Sequence, residues 1–253
     1  MALGLNGHLG KLGKLESFDY LIRGNEMISI GLLLGLSAAK RGSMDLLVTK
    51  KISTQLEALL PPTATELPLS HTTQVAGLIG LGLLYQGTAH RHMAEVCLNE
   101  LGRPPGPEME NCTDRESYSL AAGLALGMIT LGQGQMLTQG ALSDLNLPES
   151  LYYHMVGGPR PDSLSSKHKF RSPVSYQVQE GDSINIDVTS PGATLALGLM
   201  FFRSNNERVA SWLEAPDSRF LLEFVRPDFL MLRTLAKGLI LWDSIGNKDG
   251  TST

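Results

Sequence analysis

A chain of 253 residues with 42% hydrophobic and 18% charged residues carries enough apolar material for a sizeable core, which excludes a disordered tail. The formal net charge of −4 and a pI near 5.9 provide no concentrated basic surface, so nucleic acid is not an expected partner. The 27 glycines, set against only 6% aromatic residues, favour helices packed at short distance over a core of large rings.

Taken in chain order, Gly4, Gly7 and Gly10 lie in an apolar stretch that predicts a first helix near 2–13. The stretch from Gly31 to Gly42 predicts a helix over 27–42, hydrophobic nearly all round, as an enclosed helix is. Two further copies follow, Ala76 to Gly87 within a helix at 72–87 and Ala121 to Gly132 within one at 117–132. Their closing glycines recur every 45 residues (87 − 42 and 132 − 87), the mark of a stacked array of helical units. Small residues repeat at i and i+4 as Gly31/Gly35, Ala76/Gly80 and Ala121/Ala125, with Gly82, Gly123 and Gly127 beside them. Positions so spaced share one helix face and let a neighbouring backbone come close. Gly42, Gly87 and Gly132 are expected at the C′ position of each helix, where only glycine takes the left-handed conformation without strain.

An amphipathic second helix completes each unit. In the middle one it runs roughly from His90 to Leu101, with Cys97 in its apolar set, and Pro61, Pro104 and Pro148 mark unit ends. The loop Leu101–Glu116 is long, proline-stiffened and charged; Arg103, Glu108, Asp114, Arg115 and Glu116 are its candidate partner-contact residues. Asp114 and Glu116 also suit the positive end of the helix that follows. Pro159–Pro173 is a second candidate contact loop, and its basic run from Lys167 to Arg171 reads as solvated.

Next, Val174, Tyr176 and Val178 alternate with polar residues, Glu180 to Ser183 reads as a glycine turn, and Ile184, Ile186 and Val188 alternate again. This predicts a β-hairpin at 173–189 packed on the end of the helical stack. A fourth copy begins at Gly192, 71 residues after the third (192 − 121), within a helix at 191–203 that also carries Ala196 and Gly198. Arg203 stands where the closing glycine belongs, which reads as the array closing there. Pro227 opens a terminal helix over 227–243, and 244–253 is a polar tail. The array therefore spans 1–243.

Sites for chemistry are not evident. Cys97 and Cys112 are too sparse for a disulfide framework and lack metal-ligand spacing, which suits a reducing intracellular compartment. Asn111-Cys-Thr113 matches a glycosylation sequon, read as chance in a chain without a charged-then-apolar leader. His90 and His92 point to different sides of a helix and read as a polar helix start. The segment Gly132-Gln-Gly134 lacks the Lys-Ser/Thr of a phosphate loop. The apolar stretches fall short of the roughly 20 residues of a membrane span. No catalytic residue, cofactor, metal, membrane or small-molecule substrate is expected, and the chain reads as no enzyme.

The glycine- and alanine-rich helix pairs resemble the proteasome/cyclosome-repeat family. The strings Tyr85 to His92, Leu101 to Glu110, Cys112 to Gly127, Ala2 to Leu12 and Ser190 to Leu197 resemble in particular its branch formed by the largest subunit of the anaphase-promoting complex. The resemblance implies a mainly α fold, an α-α superhelical, toroidal array of two concentric helix layers. It further implies a non-catalytic scaffold, in nucleus and cytoplasm, of a multisubunit E3 ubiquitin ligase that controls mitotic progression and cyclin degradation. Partners would be the other subunits of that complex. Members of this branch are several times longer, so the chain is expected to be a piece or a truncated form of such a protein. A free-standing helical-repeat adaptor that does not assemble into the ligase is the alternative.

Overall fold

A side-chain cap opens most of the long helices, and it sets where each begins. The computed structural model describes residues 1–11, 14–23, 25–61, 69–104, 114–137, 140–157, 184–223 and 225–246. In order these form α1 (Ala2–Leu5), α2 (Lys14–Arg23), α3 (Glu26–Ala39), α4 (Leu46–Ser53), α5 (His71–Leu84), α6 (Arg91–Leu101) and α7 (Asp114–Ile129). Then come α8 (Leu147–Val156), α9 (Ile186–Met200), α10 (Glu207–Trp212), α11 (Arg219–Leu222), α12 (Pro227–Ile240) and α13 (Trp242–Gly246). Asn25, Ser70 and Asn185 cap α3, α5 and α9, each side chain accepting a backbone N–H of the first turn. Asp45, His90 and Asn206 do the same for α4, α6 and α10. The Nδ1 of His90 is thereby committed to the N–H of Met93.

The apolar helices α1, α3, α5, α7, α9 and α12 pack in sequence, each against the next. The second helices α4, α6 and α8 lie on α5, α7 and α9, one unit forward, and make a second layer. Between the layers runs one continuous core whose fully buried members include Leu33, Ile52, Leu78, Leu81, Leu126, Leu151 and Met155. Each such side chain contributes about 1.5–3 kcal/mol by leaving water. Cys97 belongs to this core, and burial pushes its thiol far above the usual range.

Four expectations need correction. The helix expected over 2–13 is divided, because Gly7 takes φ +76 and the chain resumes as a 3-10 turn at His8–Lys11. Gly42, Gly87 and Gly132 do adopt left-handed φ, from +66 to +70, but they lie three residues past the last helical residue and are not C′ caps of their own helices. Each donates its N–H to the next unit instead. Arg203 does not close the array: it takes the same left-handed conformation (φ +58), and α12 follows as one more first helix.

The fourth correction concerns the hairpin. Residues 173–183 lie outside the described residues, but Ile186 and Val188, assigned to its second strand, sit in the first turn of α9. No strand occurs among the described residues. The Asn185 cap and the Oγ1 of Thr189, which donates to the carbonyls of His154 and Asn185, hold the helical geometry. Pro191 lies inside α9, where its ring removes one hydrogen bond near the helix start.

Candidate interaction surface

Two repeated devices fix the register of the stack. The first is a column of small residues. Gly82, Gly127 and Gly198 each stand five residues before a turn residue (Gly87, Gly132, Arg203), and each faces an alanine of the next helix. A Cβ there would lie 2.6 Å from the Cα of Ala125, 3.0 Å from that of Ala196 and 2.8 Å from that of Ala236. Gly4 abuts Gly35 in the same way, Gly80 faces the Ser37 hydroxyl, and a side chain at Gly123 would run into the backbone of Gly192. Glycine is needed here for closeness. At Gly31 a Cβ would meet nothing within 4 Å.

The second device is a hydrogen-bond ladder. Gly42 and Met44 donate to the carbonyls of Leu83 and Leu84 at 3.1 and 3.2 Å, and Gly87 and Ala89 to Met128 and Ile129 at 2.9 Å each. Gly132 and Gly134 donate to Leu199 and Met200 at 3.0 and 2.9 Å, and Arg203 and Asn205 to Leu239 and Ile240, both at 3.0 Å. Carbonyls in the last turn of a helix have no partner inside it; here the preceding unit supplies one.

Polar side chains lace the same junctions. Arg226 lies against Glu116, Asp187 and Asp228, at 3.6, 3.6 and 2.9 Å, joining the starts of α7, α9 and α12. The bond to Arg226 holds the carboxyl of Asp228 below its usual range. Arg103 bridges Glu57 of the preceding unit (3.3 Å) and Glu100 (3.4 Å), and the Tyr118 hydroxyl donates to the same Glu100 at 2.5 Å. Burial first, and then Glu100, pushes the Tyr118 hydroxyl well above its usual value. On an exposed edge Arg91 binds Asp144 bidentately.

Of the candidate contact residues, then, Arg103 and Glu116 bind acids and bases of the chain itself. Asp114 opens α7 beside Arg115, and Glu108 lies outside the described residues, as does all of Pro159–Pro173. Sequence reasoning missed Arg226, whose only signal was its place immediately before the Pro227 helix start. It missed the ladder altogether, because backbone donors leave no trace in side-chain pattern. Among the described residues no group of three or more His, Cys, Asp or Glu could hold a metal ion, and no helix is long and apolar enough to cross a membrane.

The last first helix ends the column openly. Gly238 repeats the position of Gly82, Gly127 and Gly198, yet a Cβ on it would meet nothing within 4 Å. Met231, Leu235, Trp242 and Ile245 around it are exposed, and a groove runs past Thr234, Lys237, Gly238 and Leu241.

The family model of the APC1 fifth domain matches residues 46–250, and that of the APC1 fourth domain matches residues 1–41. The chain belongs to the APC1 family. Anaphase-promoting complex subunit 1 of Homo sapiens is 62% identical over 246 residues, covering 97% of this chain and 12% of that protein. The protein of the same name from Schizosaccharomyces pombe is 41% identical over 96% of this chain and 15% of its own length. A protein of Emericella nidulans named negative regulator of mitosis is 41% identical over 97% of this chain and 11% of its own length. The chain thus spans about an eighth of the length of the curated relatives it matches. The two family domains meet between residues 41 and 46, at the Gly42 turn, where the ladder crosses from one unit to the next.

Proposed function

We propose that the chain is a non-catalytic scaffold segment of the anaphase-promoting complex, a multisubunit E3 ubiquitin ligase that controls mitotic progression. Its helical units form part of a closed ring of two concentric layers, and its partners are the other subunits of that complex. It acts in the nucleus and cytoplasm, and ubiquitin transfer belongs to other subunits. Identity of 62% to anaphase-promoting complex subunit 1 along nearly the whole chain carries this reading. The unfilled position over Gly238, in register with three filled ones, supports continuation of the ring past α12.

The test is recovery of the other subunits by the full-length subunit carrying this segment. Wild type is expected to recover them, Gly238→Ala fewer because its Cβ would meet the helix that continues the ring, and Gly123→Leu, which forces α7 from α9, fewest. Native recovery of no subunit by the wild type overturns the reading.

A further inference from the structure

The outer side of α8, α10 and α12 carries a surface that the stacking of the units does not use. Tyr152 and Val156, one turn apart on α8, are 38% and 44% exposed. The ring of Tyr152 packs on that of Trp212 at 4.8 Å, and the guanidinium of Arg208 lies over Trp212 at 5.4 Å while pairing with Glu149 at 3.5 Å. Arg233 of α12 lies within electrostatic reach of Tyr152.

Arg233 differs from the arginines around it. Arg91, Arg103, Arg203, Arg208 and Arg226 each hold a carboxylate. Arg233 is half-buried, its Nε is shut off from solvent, and that Nε has no hydrogen-bond partner among the described residues. Burial lowers its pKa, and among the described residues no acid offsets this. A half-buried guanidinium whose Nε has no partner is costly, and a carboxylate brought to its terminal nitrogens offsets that cost most fully because the planar fork donates to two oxygens at once. Tyrosine, tryptophan and arginine are also the side chains that anchor protein interfaces. Arg208 is already paired with Glu149, so among the described residues Arg233 is the charge of this surface that lacks an acid. That matches a single carboxylate and not a polyanion.

We infer that Arg233, with Tyr152, Val156 and Trp212, forms a docking surface for a segment of another protein subunit that presents an aspartate or glutamate beside an apolar side chain. This rests on the scaffold reading above and names the chemistry of one of its contacts. Two measurements test it. In the 253-residue chain, Arg233→Met is expected to leave the thermal midpoint unchanged or raised, since it removes a desolvated, unpaired group; a fall of several degrees makes Arg233 a structural residue and overturns the inference. In the purified assembled complex, a photo-cross-linking benzoylphenylalanine at Tyr152 of the full-length subunit is expected to join a neighbouring subunit within a few residues of an acid. Arg233→Met is expected to cut that yield about 10-fold or more, and Arg233→Lys to retain part of it. A subunit that assembles without this cross-link, or whose cross-linked segment holds no acid, overturns the inference and leaves the scaffold reading standing. A subunit that does not assemble overturns both.

Discussion

The junctions at Gly87 and at Arg203 do the same work with opposite residues. At Gly87 the left-handed turn is made by the residue that takes it freely; at Arg203 an L side chain holds φ +58. Both donate to the next helix at matching distances, and both follow a glycine that rests on an alanine. The contrast separates what a junction requires from what merely eases it. Close backbone contact and the ladder are required, whereas glycine in the turn lowers a local conformational cost of about 1–2 kcal/mol. Arg203 meets that cost where its guanidinium pairs with Asp243 at 2.9 Å.

The comparison can be broken or sharpened by substitution, read as changes in unfolding free energy by circular dichroism. The largest effect is expected from Gly123→Leu, whose side chain has only the backbone of Gly192 to occupy. It is expected to cost more than about 3 kcal/mol, and a loss under about 1 kcal/mol would show that the helices part easily. Gly87→Ala meets no atom within 4 Å, so only its positive φ is at stake, and about 1 kcal/mol of loss is expected. Arg203→Gly is expected to change stability by no more than about 0.5 kcal/mol. Relief of φ is offset there by greater freedom of the unfolded chain and by loss of an exposed ion pair. A large gain would mean that Arg203 is strained beyond its turn. The smallest effect is expected from Gly238→Ala, a gain of about 0.5–1 kcal/mol, because the helix benefits and nothing stands in the way.

The array itself was legible because its glycines are costly inside helices and their recurrence demands a reason. Gly82 and Gly127 announced close packing, and Gly42, Gly87 and Gly132 announced turns. What those turns do was not legible: a positive φ is written in the residue type, but the destination of its N–H is not. Arg203 hid its turn because arginine carries no signature of left-handed backbone. The alternation of Ile184, Ile186 and Val188 suggested a strand because three residues cannot separate a period of two from the face of a helix. Asn185 was the overlooked cap that decides between them. The candidate contact residues rest on a long, proline-stiffened and charged loop, and such a loop does not show that Arg103 serves its own chain while Arg233 has no acid among the described residues.

The ladder also leaves the chain between its rungs free in length. Donor and acceptor are fixed at the two edges of a unit, so the stretch from Gly42 to Leu83 and the much longer one from Gly132 to Leu199 deliver their helices to equivalent seats. Sequence can therefore be added between rungs without shifting the stack, while one residue added inside α7 or α9 would misalign every seat beyond it. Such an array can lengthen its connections and keep its shape.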